Sequence, residues 1–403
     1  MSILGVENLN GQILFNPNIL PLGETEALMG NTGIGGVGSP AAVFYNPGAL
    51  AMLEGSSFSL SASAYTRYRF SAKPEAVVFD TELDLEAQGF RSLPTSIVMV
   101  RKVGDWRIGA YALYVSDFSY EGQEIWEVPF EGAIYQFTTK INYRETLAQF
   151  GLSAARPFGE GWMAGISLAA QNFSLLNSQD GNSFVNLENT PFFYESIRQK
   201  VSSTGLLLTA GLLKTWDKWN LGVRISAPSI DVLESGEDFD LVYNSGPIVQ
   251  LSRTDLKGQY KSPWELGLGV VYHPNNHWKA AVDLTARTGV DYALFQDVEG
   301  TEIIRTKANY RINGGVQFRP GERFGYHLGA NFTPSTLDES AEEVALEFIG
   351  FYGGIKLFTE HLETSVGFFI NEGRGEEPLP NSSNLSKQSY EFLGLFIGSN
   401  YRF

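Results

Sequence analysis

The sequence predicts an all-β fold: a 14-stranded antiparallel transmembrane β-barrel whose N-terminal segment, residues 1–55, forms a hatch inside the lumen of a barrel made by 56–403. Three observations predict it. Period-two alternation of apolar and polar residues dominates the chain from Ser56 onward. Tight connections alternate with long polar ones. Tryptophans and acidic residues sort to opposite ends of the strands.

Composition narrows the class before any element is placed. Aromatics make 13% of the 403 residues, 43 glycines accompany them, and charged residues are only 18%, against roughly 25% in ordinary soluble domains. There is no cysteine, which removes disulfides, thiolate metal sites and thiol nucleophiles together. The net charge of -16 leaves no basic surface for a phosphate backbone, so nucleic acid is excluded as a partner. The longest apolar run, 204–213, is too short to cross a bilayer as a helix. The first residues, MSILGVENLNG, lack a basic and then apolar leader pattern, so no signal peptide is expected within this numbering.

Taken in chain order, about fifty small, apolar and turn-forming residues come first. Alternating segments then cover approximately 56–72, 88–102, 106–119, 136–156, 162–175, 194–215, 219–229, 250–273, 278–290, 301–319, 324–334, 341–358, 362–372 and 386–403. The faces are well separated. Trp278, Val282 and Leu284 alternate with Lys279, Asp283 and Thr285; Tyr310, Ile312 and Val316 alternate with Asn309, Arg311 and Asn313. Tight connections are expected at Gly104-Asp105, 158–160, Asp217-Lys218, Asn275-Asn276, 320–322 and Glu360-His361. The stretches between the other segments read as long loops. Pro228 and the Ser116-Asp117 region are the points at which strands are expected to kink.

Trp106, Trp162, Trp216, Trp219 and Trp278 border the short turns and would form one interfacial girdle. The acidic residues occupy the long connections: Glu75 to Glu86, Glu121 to Glu131, Asp231 to Asp240, and Asp338 to Glu343. The last strand carries Leu393, Leu395, Ile397, Tyr401 and Phe403 on one face, against Tyr390, Phe392 and Phe396 on the other. Closure follows physically, because hydrocarbon offers an open sheet edge no hydrogen-bond partner, and strand one must therefore pair with strand fourteen.

Few motifs carry chemistry. Gly33, Gly35, Gly36 and Gly38 spell G-x-G-x-x-G only by accident, since Ser39-Pro40 follows where a helix should begin. These glycines instead permit close backbone packing. Asn46, Pro47 and Gly48 form a tight turn among Phe44, Tyr45, Leu50 and Leu53, an apolar turn that requires burial. The four histidines show no nucleophile partner, no zinc or EF-hand pattern is present, and neither cofactor nor catalysis is expected.

The run 30–38 followed by 40–53 resembles the N-terminal hatch of the FadL family of outer-membrane transporters for fatty acids and other hydrophobic compounds. There a Gly-rich segment leads to an Asn-Pro-Ala signature and then to fourteen strands. Asn46 and Pro47 match the signature; Gly48 stands where the family has alanine. The resemblance implies passive uptake in the outer membrane of a Gram-negative bacterium, both termini periplasmic, with ligand leaving sideways through the wall. It also makes Tyr401 and Phe403 a terminal signal for the assembly machinery. From the residues themselves, an inward aromatic set of Phe348, Tyr352, Tyr390, Phe392 and Phe396 would bind an alkyl chain or aromatic ring, and Lys307 or Arg311 would meet a carboxylate. Expected partners are a hydrophobic small molecule and outer-membrane lipids. Barrels of the same fold also serve type IX protein secretion, which leaves protein partners as the alternative.

Overall fold

A computed structural model describes residues 20–185, 193–244, 246–299, 301, 303–337, 345–379 and 385–403. Eighteen strands follow in chain order: β1 Ser57–Val78, β2 Thr81–Val103, β3 Trp106–Phe130, β4 Ala133–Pro157, β5 Trp162–Val185, β6 Phe193–Thr215, β7 Trp219–Ser226, β8 Ile230–Asn244, β9 Val249–Leu256, β10 Glu265–Tyr272, β11 Trp278–Arg287, β12 Asp291–Ala293, β13 Ile303–Arg305, β14 Asn309–Phe318, β15 Phe324–Thr333, β16 Glu347–Phe358, β17 Leu362–Pro378 and β18 Leu385–Arg402. Fourteen of them close a ring in the order β1 to β7, β10, β11 and β14 to β18, with β18 pairing back onto β1 from Ser57↔Arg402 to Lys73↔Lys387. Among the described residues each strand of that ring pairs with a neighbour on both sides, which is what a lipid environment demands.

Alternation decides which residues face where. Outward positions keep their apolar side chains exposed, as at Ile108, Leu152, Ile166, Leu284, Val366 and Leu395, while their neighbours Arg107, Ser153, Ser167, Asp283, Ser365 and Phe396 are buried inside. An apolar belt about 25 Å tall suits this pattern. Below the belt, Trp106, Trp162, Trp216, Trp219 and Trp278 are each 39–52% exposed at the rim that also carries the start of β1 and the end of β18, here the near rim. Cations sit over three of these rings: Arg156 over Trp106, and Lys214 over both Trp162 and Trp216.

The wall is taller on one side than the alternation suggested. The stretches 73–87 and 120–135, read as acidic loops, are continuations of β1 to β4. They end in two-residue turns at Phe79-Asp80 and Glu131-Gly132, where positive φ values at all four positions give the twist a hairpin needs. Acidic residues on the outer face, Glu82, Asp84 and Glu86, hide an inner face of Leu83, Leu85 and Ala87. The stretch 250–273 likewise divides: β9 pairs with β8 above the wall, and only β10 joins the ring. At Ala227–Ser229 the partner of β6 changes from β7 to β8, so Pro228 marks a real break in the wall. Asp338 to Glu343, expected in a loop, lie outside the described residues.

Candidate functional site

The N-terminal segment runs through the interior. From Leu20 to Leu50 every residue but Gly38 is buried, although the segment holds only a single-turn helix, α1 (Ala42–Tyr45), and 3₁₀ turns at Ala27–Met29 and Pro47–Met52. So little regular structure leaves many backbone groups in need of partners. The wall supplies them. Asp283 on β11 accepts from the amides of Gly33 (2.6 Å) and Ile34 (2.9 Å). Asn313 on β14 donates to the Asn31 carbonyl at 2.9 Å, Asn220 on β7 to Gly36 at 3.2 Å, and Lys279 on β11 to Val37 at 2.8 Å. Ser59 on β1 donates to Glu24 at 2.8 Å, and Lys356 on β16 meets Thr25 Oγ1 at 2.7 Å.

The expected turn at Asn46, Pro47 and Gly48 ties several parts together. Asn46 is fully buried; its Oδ1 accepts from the Gly48 amide (3.0 Å), and its Nδ2 donates to the carbonyls of Ile34 (2.7 Å) and of Leu212 on β6 (3.1 Å). One side chain therefore joins the turn, the glycine loop and the wall. The departure from alanine at position 48 has a reason, because a Cβ there would lie 2.7 Å from the Gly211 carbonyl oxygen. Wall and segment approach equally closely elsewhere: a Cβ on Gly222 would fall 1.8 Å from the Ile34 oxygen, and one on Gly329 2.1 Å from the Gly30 nitrogen. Of the four glycines expected to allow tight packing, Gly33, Gly35 and Gly36 do contact Tyr45, Val271 and Met52 closely, whereas Gly38, at φ +90°, faces open space.

Beyond this segment the aromatic residues gather. Phe348, Tyr352, Tyr390, Phe392 and Phe396 share one buried cluster with Tyr68, Phe70, Phe118, Tyr120 and Tyr143. Their rings meet edge-on or tilted: Tyr390 to Phe70 at 4.7 Å, Phe392 to Phe118 at 5.3 Å and to Tyr68 at 5.4 Å, and Phe348 to Phe392 at 6.1 Å. Tyr352 is fixed further by Asn331 at 2.8 Å and Asn371 at 2.9 Å.

The two basic residues grouped with them lie apart. Lys307 is exposed on the connection before β14, beside a small cavity of about 30 Å³ with Tyr260 and Arg287. Arg311 is buried on the inner face of β14. Two carboxylates on inner faces carry paired cations, Glu265 with Arg224 and, at 2.6 Å, Arg287, and Glu363 with Arg402 and, at 2.6 Å, Lys356.

Sequence reasoning had only a hint of the second irregularity. On β3 a bulge at Val115 shifts the register against β4, next to the Ser116-Asp117 pair. Across the same stretch the β2–β3 ladder lapses: Gln88 pairs with Glu121 and Ser96 with Leu113, with no pairs between. Side chains bridge part of the interval, Arg91 with buried Asp117, and the Tyr68 hydroxyl with the Asp117 carbonyl at 3.0 Å. Val115 also lines an inner cavity of about 50 Å³ with Phe44, Leu147, Tyr260 and the Arg224–Glu265–Arg287 group. Among the described residues no group of histidines and carboxylates could hold a metal.

No family model matches the sequence, and no curated protein matches it. Solved structures do. The Pseudomonas putida toluene transporter TodX aligns with a TM-score of 0.66 at 14% identity, over 96% of this chain and 99% of its own. The Ralstonia pickettii toluene transporter TbuX gives 0.62 at 14% identity over 96% and 99%, and a Pseudomonas aeruginosa FadL homologue 0.62 at 14% over 95% and 100%. At this identity the likeness is one of fold.

Proposed function

We propose that this chain, which carries the FadL fold, is an outer-membrane channel for passive uptake of hydrophobic small molecules, fatty-acid-like or aromatic. The observation that carries the reading is the lapse in the β2–β3 ladder beside a buried cluster of aromatic rings. A water-filled pore has no use for either feature. A greasy solute gains ~25 cal/mol for each Å² it buries against such rings, and it can leave toward lipid only where the wall is not sealed by backbone hydrogen bonds. In this account residues 1–55 act as the hatch, the near rim faces the periplasm, and Phe348, Tyr352, Tyr390, Phe392 and Phe396 line the ligand's path. Lys307 and Arg311 would meet an acidic head group. Tyr401 and Phe403 serve assembly, and the tryptophan girdle sits at the lipid interface. The toluene transporters of the same fold support the substrate class.

The test is uptake of a labelled long-chain fatty acid and a labelled monoaromatic hydrocarbon by cells expressing the protein, against an empty vector. Faster entry of either, with no change for a sugar, is expected; no difference for both would sink the reading. A second reading, a partner barrel for secreted proteins, draws on β9, whose Val249 and Leu251 stand 65% and 40% exposed on a strand that ends its sheet. Stoichiometric co-purification of another protein would favour it.

A further inference from the structure

At the near rim, where Val37 and Gly38 end the glycine-rich stretch, the N-terminal segment borders a half-open cavity of about 230 Å³, against the roughly 10–15 Å³ that one water needs. Four cations line it: Lys279 on β11, Arg319 just after β14, Lys356 on β16 and Arg402 on β18. Among the described residues Glu363, on β17, is the one carboxylate in the lining, and it is already bonded to Lys356 at 2.6 Å and to Arg402. The nearby acids of the segment, Glu24 and Glu26, do not line the cavity; they accept from Ser59 at 2.8 Å and from Ser39 at 2.7 Å.

Lys279 and Arg319 meet no carboxylate among the described residues. Lys279 donates to the Val37 carbonyl at 2.8 Å, and Arg319 donates to the carbonyls of Gly321, at 3.2 Å, and Glu322 while lying 4.0 Å from the centre of the Phe358 ring. Each keeps donors to spare. Like charges drawn together repel, and more strongly as water is excluded. In a chain of net charge -16 no general excess of bases accounts for four of them around one space. Gly38 has its place here too. A Cβ on it would meet nothing within 4 Å, because it lines this cavity and the adjoining one of about 570 Å³, which also shares Arg402.

We infer that the cavity is an oxyanion site that takes a phosphate group, held by Lys279, Arg319 and Arg402. Four cations against one carboxylate leave a charge that a dianion matches better than a carboxylate does, and both lysine and arginine bind phosphate through charge-assisted hydrogen bonds. Thr25, Val37 and Gly38 of the segment share the lining with four cations from the wall. A bound phosphate therefore fastens the segment to the rim. The site has no residue in common with the aromatic cluster and does not depend on which solute the barrel carries.

Titration calorimetry on the full-length protein in detergent and chloride buffer tests it, with inorganic phosphate and with a short-chain phosphatidic acid. Saturable binding of at least one is expected. Lys279→Gln and Arg319→Gln should each weaken it about ten-fold, as the loss of one charge-assisted hydrogen bond does. Lys218→Gln, which removes an exposed cation of the same rim outside the cavity, should leave it unchanged. Binding of inorganic phosphate identifies a site for free phosphates, and binding of phosphatidic acid alone a site for a lipid head group. No binding of either, or equal affinity in all three variants, would overturn the inference. Should a variant fail to fold, a high-resolution map of the unaltered protein with phosphate decides: tetrahedral density within hydrogen-bond reach of Lys279 and Arg319 supports the site, and water alone there refutes it.

Discussion

Asn46 shows how much one side chain can hold together when the backbone around it is irregular. Besides reaching the Leu212 carbonyl on β6, it satisfies two groups of the irregular segment, the Gly48 amide and the Ile34 carbonyl. Asn46→Ala leaves those groups buried and unpaired, each at about 1–3 kcal/mol, so hydrogen exchange at Gly48 should accelerate and protease should reach the segment while the barrel stays folded. Gly48→Ala, the residue found in the related signature, should act in the same direction, because its Cβ meets the Gly211 carbonyl at 2.7 Å; unchanged protection in that variant would remove the steric argument. The turn itself was legible from Asn46-Pro47-Gly48. The wall partners were not: Leu212, which meets the turn, and Asn220, Asp283 and Asn313, which hold the glycine-rich stretch, lie 166 to 282 positions from the residues they bond, and nothing local marks them.

At the scale of elements, the inward and outward faces of the strands were readable wherever one face was apolar and the other polar. They were lost where the strands rise above the apolar belt, as in 81–87, because acidic side chains on the outer face there read as a loop. The girdle makes a prediction of its own. Fluorescence of Trp106, Trp162, Trp216, Trp219 and Trp278 should be quenched more strongly by lipids brominated near the head group than by lipids brominated at the chain end; the reverse order would place that rim elsewhere. The bulge on β3 makes another. Deleting Val115 removes the extra residue that sets β3 out of register with β4. The variant should fold with β3 and β4 in continuous register and lose most uptake of the hydrophobic solute. Full uptake would move the exit away from this stretch.

For the whole molecule, closure and filling answer the same physical requirement. The ring of fourteen strands removes every open edge, and a ring of that size encloses more space than its own side chains fill. Here residues 20–50 occupy that space, held by hydrogen bonds with β1, β6, β7, β11, β14 and β16. The strand count and the burial of the segment were both accessible from alternation and from the apolar turn.

Planar-bilayer conductance of the full chain against a form lacking residues 1–48 tests this account most directly. The full chain should be almost silent, and the shortened barrel, shown to be folded by its heat-modifiable mobility, should conduct ions steadily. A folded shortened barrel as silent as the intact one would contradict it.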